Sequence, residues 1–123
     1  MKGLRIAIVG ATGLVGQEFI KVLEQRRFPM ASVKLYASDK SAGKRLFITH
    51  QEVEVKETAA DSFADVDIAL FSAGAEVSLY FSPMAVSAGA VVIDNISAWR
   101  MDPNVPLVVP EVNADDIKHH KGI

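Results

Sequence analysis

Apolar and polar positions change rhythm several times along the chain, and each change predicts an element. Arg5-Ile6-Ala7-Ile8-Val9 is a short β-branched run that ends at Gly10-Ala11-Thr12-Gly13-Leu14-Val15-Gly16, after which Phe19, Ile20, Val22 and Leu23 recur at helical spacing to about Arg27. This predicts a strand, a glycine turn and a helix. Phe28-Pro29 is expected to stop the helix, because the residue before a proline is pushed out of the α region. A second strand is predicted at Val33-Lys34-Leu35-Tyr36-Ala37, followed by the polar, turn-prone loop Ser38-Asp39-Lys40-Ser41-Ala42-Gly43-Lys44.

From Leu46 to Lys56 the pattern alternates, with Val53 and Val55 flanked by Glu52, Glu54 and Lys56, which predicts a half-exposed strand or hairpin at the sheet margin. Asp67-Ile68-Ala69-Leu70-Phe71-Ser72 is a buried strand ending in Ala73-Gly74, and Glu76 to Ala88 is a helix despite Pro83. Ala90 to Asp94 has no polar alternation, as expected when helices cover both faces of a parallel sheet. Pro103, Pro106 and Pro110 keep the next stretch extended, with Leu107-Val108-Val109 as an edge strand. Asn113 or Ala114 is expected to open a capped helix, with Asp115 and Asp116 in its first turn where the helix dipole favours them. Lys118 to Ile123 is expected to finish that helix in a glycine C-cap with a further strand just beginning, so the chain is expected to be cut at an element boundary. The order βαβ, then β, αβ predicts an α/β fold: a Rossmann-like doubly wound, mostly parallel sheet with helices on both faces.

Composition narrows the function classes. With 123 residues, half of them apolar and 23% charged, the chain has the size and balance of one domain with a sizeable core, and no room for a second. There is no cysteine, so these residues cannot build a thiolate nucleophile, a zinc-thiolate site or an iron–sulfur cluster. A reducing cytoplasm is the expected compartment. The apolar run before Gly10, Ile6 to Val9, has only four residues, which is no signal-peptide core, and the longest apolar stretch, Ala88 to Ile93, is far short of the roughly 20 residues a bilayer needs. A net charge of −2 with scattered Lys and Arg leaves no footprint for nucleic acid. His50, His119 and His120 lack matched carboxylates and are expected to be solvated, with no metal site.

The glycine loop carries the chemistry. Gly10 allows a tight turn off the strand, Gly13 lets backbone approach a pyrophosphate, and Gly16 lets the helix pack closely on the sheet. Amides at the helix start would face the phosphates. The spacing is GxxGxxG, and its place between strand and helix is what makes it a dinucleotide signal. At the end of the second strand a carboxylate would serve a bare ribose, whereas Ser38, Lys40 and Ser41 suit a 2′-phosphate, so NADP is favoured over NAD, with Asp39 as the residue that would serve NAD. Ser72-Ala73-Gly74 leaves the carboxyl end of a central strand, where ligands bind in open α/β sheets. Arg100 follows another strand end and suits a phosphate or carboxylate.

Taken together these pieces resemble the N-terminal cofactor domain of the aspartate-β-semialdehyde dehydrogenase family. The resemblance rests on GATGLVG at Gly10 to Gly16, SDKSAGK at Ser38 to Lys44, FSAG at Phe71 to Gly74, VIDNISAWRM at Val92 to Met101 and DPNVPLVVPEVN at Asp102 to Asn113. It implies a two-domain, usually dimeric enzyme of lysine, threonine and methionine biosynthesis that uses NADPH to reduce aspartyl phosphate to the semialdehyde with release of phosphate. It further implies that Gly10, Ala11, Thr12, Gly13, Leu14 and Val15 hold the pyrophosphate, that Ser38, Lys40 and Ser41 surround the 2′-phosphate, that Ser72, Ala73 and Gly74 line the cofactor, and that Arg100 grips the substrate phosphate. The family's nucleophilic cysteine and acid-base histidine are expected beyond Ile123, so residues 1–123 are expected to bind cofactor as one NAD(P)-binding domain and not to catalyse.

Three positions depart from the family. Lys40 stands where arginine is common, keeping the charge but losing the planar fork. Ile96 stands where serine is usual, and Trp99 replaces phenylalanine, a conservative change. Two other readings remain open at this point: the cofactor domain of an N-acetyl-γ-glutamyl-phosphate reductase, which shares fold and mechanism, and a non-catalytic nucleotide-binding relative.

Overall fold

The computed structural model describes residues 3–123. Leu4–Val9 forms strand β1, Leu14–Gln25 helix α1, Met30–Ala37 strand β2, Arg45–Ile48 strand β3 and Gln51–Glu57 strand β4. Ile68–Phe71 forms β5, Ala75–Ser87 helix α2 and Val91–Asp94 β6, followed by a 3-10 turn at Ser97–Trp99, the short helix α3 at Pro110–Asn113 and a 3-10 stretch at Ala114–His119. One sheet runs in the order β3-β4-β2-β1-β5-β6, parallel throughout except for the β3–β4 hairpin.

The apolar runs are continuous because both faces of the sheet are covered. On β1, Ile6 and Ile8 pack with Ile20, Leu35 and Val55 under α1, whereas Ala7 and Val9 pack with Phe63, Phe71 and Ala85 under α2. The doubly wound arrangement expected from the pattern is therefore present. The marginal segment is a hairpin whose two turn residues, Thr49 and His50, both take left-handed backbone, with φ of 50° and 66°. Such a turn matches the twist of its strands.

Helix α1 ends before the proline acts. The Phe28 amide donates to the Leu23 carbonyl at 3.0 Å and the Arg27 amide to Glu24 at 3.1 Å, with Arg27 at φ 48°, which is a Schellman ending two residues short of the expected Arg27 limit. Phe28 then packs beside Leu23 on the α1 side of the core.

The C-terminal third corrects three expectations. Leu107 to Val109 is not an edge strand among the described residues, because the Asn113 side chain takes its backbone groups: the Val109 amide donates to Asn113 Oδ1 at 2.7 Å, and Asn113 Nδ2 donates to the Leu107 carbonyl at 2.8 Å. Helical structure starts earlier than Asn113, at Pro110, whose missing N–H costs nothing in a first turn. Asn113 takes the N-cap position of the next stretch but makes no side-chain capping bond there, and Asp115 and Asp116 lie in the first turn as expected. That stretch is capped by His120 in extended backbone, not by glycine. Gly122 has another role: its carbonyl accepts from the Val92 amide on the outer edge of β6.

Arg5 and Asp67 tie the starts of β1 and β5 together. Asp67 accepts Arg5 Nε at 3.0 Å, Nη2 at 2.9 Å and the Arg5 amide at 2.8 Å. The Arg5 guanidinium, and after it the Arg5 amide, hold the Asp67 carboxyl down at about 2. Because this lies below the roughly 3.9 of an unfolded aspartate, the pair's contribution is complete above about pH 4 and is lost as pH falls toward 2. Asp67→Asn is thus expected to melt below the parent at pH 7, with the gap closing between about pH 4 and pH 2 in paired thermal melts. A gap that stays constant across that range would refute the assignment.

Candidate functional site

The carboxyl ends of β1, β2 and β5 converge at one edge of the sheet. Helices α1 and α2 leave the adjacent strands β1 and β5 toward opposite faces, which opens a crevice between their ends. The glycine loop fills the β1 side. The Gly10 and Ala11 amides donate to the Tyr36 carbonyl at 2.9 and 3.1 Å, which pins the loop to the end of β2. Gly10 has φ 89°, and a Cβ there would stand 2.9 Å from the Ser72 carbonyl, so the turn needs glycine both for its backbone and for its approach to β5.

Helix α1 starts without any of the usual neutralising groups. Gly13 is its N-cap, no side chain caps it, and its first turn holds no acid. Among the described residues, the amides of Leu14, Val15 and Gly16 donate to no acceptor. The start of α2 differs, for Glu76 sits in its first turn. A free anion is accordingly favoured at α1 and opposed at α2.

The expected site residues group as follows. Thr12 Oγ1 donates to Ser41 Oγ at 3.2 Å, which joins the glycine loop to the loop after β2. Ser38 accepts from the Ser41 and Ala42 amides in a tight turn, leaving Lys40 exposed and without an ion pair among the described residues. Ser72 lies beneath Gly10, its hydroxyl buried and without a partner, and Ala73 and Gly74 lead from it into α2. Gly10 to Val15, Ser38 to Ser41 and Ser72 to Gly74 therefore share one edge. Arg100 stands apart from them, beyond the end of β6, in a cleft of about 680 Å³ that also takes Asn95, Trp99, Pro106 and Ile123. Its Nη2 donates to the Asn95 carbonyl at 3.4 Å, and no carboxylate reaches it among the described residues.

One polar contact beside Arg100 has no counterpart in the sequence expectations. Trp99 is not simply a larger phenylalanine, because its indole N–H donates to Ser78 Oγ at 2.9 Å. Ser78 and Ser82 are wholly buried one helical turn apart on the mostly apolar α2, and that i, i+4 polar pair was the available signal. His50, His119 and His120 are exposed, as expected, and no cluster of three acidic or histidine side chains suits a metal among the described residues. No helix among them is long and apolar enough to cross a membrane.

A family profile described as "Semialdehyde dehydrogenase, NAD binding domain" matches residues 5–120. An aspartate-semialdehyde dehydrogenase of Bacillus subtilis is 53% identical over 122 residues, covering 99% of this chain and 35% of that protein. Among solved structures, aspartate semialdehyde dehydrogenase II of Vibrio cholerae complexed with ASA superposes with a TM-score of 0.92 at 44% identity, covering 96% of this chain and 39% of its own. The Candida albicans enzyme with NADP superposes with a TM-score of 0.80 at 31% identity, covering 95% and 36%. The chain thus spans about a third of the length of the curated relatives it matches. With the profile running from β1 into the last 3-10 stretch, the chain belongs to the semialdehyde dehydrogenase NAD-binding domain family.

Proposed function

We propose that residues 1–123 are the NADP-binding domain of an aspartate-semialdehyde dehydrogenase, which reduces an aspartyl phosphate to the semialdehyde with release of phosphate. The observation that carries the reading is the uncapped start of α1, whose free amides open on the same edge as Ser38 to Ser41 and the unpartnered Ser72 hydroxyl. These groups fit a dinucleotide: backbone donors for its pyrophosphate, hydroxyls and the Lys40 ammonium for a 2′-phosphate, and small residues at Ala73 and Gly74 where bulk would block it. Bound there, NADPH supplies the hydride. Relatives named aspartate-semialdehyde dehydrogenase at 53% and 44% identity support the substrate class. Arg100 would hold the substrate phosphate. The residues contain no cysteine, so the nucleophile this reaction needs would come from outside them.

Calorimetric titration of the 123-residue chain with NADP and NAD tests the reading. NADP is expected to bind more tightly, and Lys40→Ala to remove roughly fivefold of that preference, since a charge-assisted contact at an exposed site is worth about 1 kcal/mol. Affinity for NAD should stay unchanged. Equal loss for both cofactors would take Lys40 out of the 2′-phosphate site, and no binding of either at millimolar ligand would refute the cofactor role.

A further inference from the structure

We propose that Ser78, Asp94 and Trp99 are positioning residues that fix the loop presenting Arg100 to a phosphate group. The proposal rests on the reading of Arg100 as the substrate-phosphate ligand and adds the device that aims it.

The loop from Asn95 to Arg100 is anchored by three hydrogen bonds to acceptors outside it. The Asn95 amide donates to the Phe71 carbonyl at the end of β5, at 3.2 Å. The Ile96 amide donates to Asp94 Oδ1 at 2.9 Å, and the Trp99 indole to Ser78 Oγ at 2.9 Å. Ser78 joins the last two anchors, because its hydroxyl donates to Asp94 Oδ2.

Proton counting makes Ser78 the hub. A serine hydroxyl has one proton and two lone pairs. The proton goes to Asp94, one lone pair takes the Trp99 N–H, and the other takes Ser82, 3.2 Å away, which must then be the donor. All three valences of this wholly buried hydroxyl are filled, with Asp94 and Trp99 half-buried beside it. A fully connected buried network of this kind rigidifies what it touches, and a half-connected one is costly. It touches both ends of a six-residue loop whose last side chain is Arg100. That side chain spends one contact on the Asn95 carbonyl, the group immediately before the amide that Asp94 holds. Its remaining donors are unpaired among the described residues and open on the cleft.

The test uses the 123-residue chain, inorganic phosphate as the probe, and 15N relaxation at the Arg100 amide and Nε. Ser78→Ala removes the hub, and Trp99→Phe removes one donor while keeping an aromatic ring. Ser62→Ala deletes another buried hydroxyl, one that accepts from the Ala59 amide and lies outside the network. In Ser78→Ala and Trp99→Phe the Arg100 order parameter is expected to fall from about 0.85 toward 0.6, with phosphate binding at least fivefold weaker by calorimetry. Ser62→Ala should change neither. If Arg100 stays as ordered in Ser78→Ala and Trp99→Phe as in Ser62→Ala, the positioning role is overturned whatever phosphate does; should Ser78→Ala not fold, Trp99→Phe decides. Phosphate binding that is absent, or that Arg100→Ala leaves intact, overturns the reading of Arg100 itself and the proposal with it.

Discussion

Gly16→Ala is expected to destabilise the chain by about 3 kcal/mol, the scale of an unrelieved overpacking at a close contact. A Cβ at Gly16 would overlap the Gly10 carbonyl oxygen and press on Ala11 Cα at 2.8 Å. Both obstacles are backbone, and the Gly10–Ala11 backbone is pinned to Tyr36, so neither can rotate aside as a side chain would. Relief requires α1 to lift off β1, which breaks the packing of Ile20 against Ile6 and Ile8. In thermal melts this should lower the midpoint by roughly 10–15 °C for a domain of this size. Gly13→Ala is the contrasting variant. Its Cβ would meet nothing closer than the Gly10 carbonyl at 3.5 Å, and its backbone is already extended, so its stability should stay within about 0.5 kcal/mol of the parent. Equal losses in the two variants would show that the glycine loop is not a rigid element.

Phe63→Ala is expected to cost about 4 kcal/mol, within the range for emptying a buried aromatic site. Phe63 is fully buried although it belongs to no helix or strand. Its ring stacks on Phe71 at 5.8 Å and meets Tyr36 and Phe81 at 6.4 Å each, so it joins β2, β5 and α2 on one face of the sheet. With total stabilities of about 5–15 kcal/mol for such domains, the loss leaves little in reserve. Urea unfolding should show the midpoint shift with Phe63→Leu falling between parent and alanine variant. A shift under about 1 kcal/mol would mean that the turn is not part of the core.

These two residues also mark where sequence reasoning works and where it stops. Gly16 was legible because a glycine at a fixed distance from a strand end reports a local close approach, and the approach is found within the same loop. Phe63 was not, since Thr58 to Val66 is turn-rich and aperiodic, and its burial is decided by strands and a helix elsewhere in the chain. The same division explains Leu107 to Val109. Their extended backbone follows from flanking prolines, but strand pairing depends on a distant partner, and the nearer Asn113 side chain competes for the same groups. In the candidate site, the placement of Gly10 to Val15, Ser38 to Ser41 and Ser72 to Gly74 follows from strand ends alone. The Ser78–Asp94–Trp99 contact joins residues 16 and 21 positions apart across a helix and a turn, and no local pattern encodes it.

The place of β1 in the sheet has a consequence for how the protein is made. Of the six strands of the sheet this one is synthesised first, yet it lies between β2 and β5, with Ile6 paired to Ile68. At roughly 5–20 residues per second, the 62 residues separating those partners take roughly 3–12 s to synthesise. For that interval one edge of the Ile6 to Val9 run has no neighbour to pair with. The best-buried strand of the finished domain is thus the one that nascent-chain chaperones have the longest opportunity to shield.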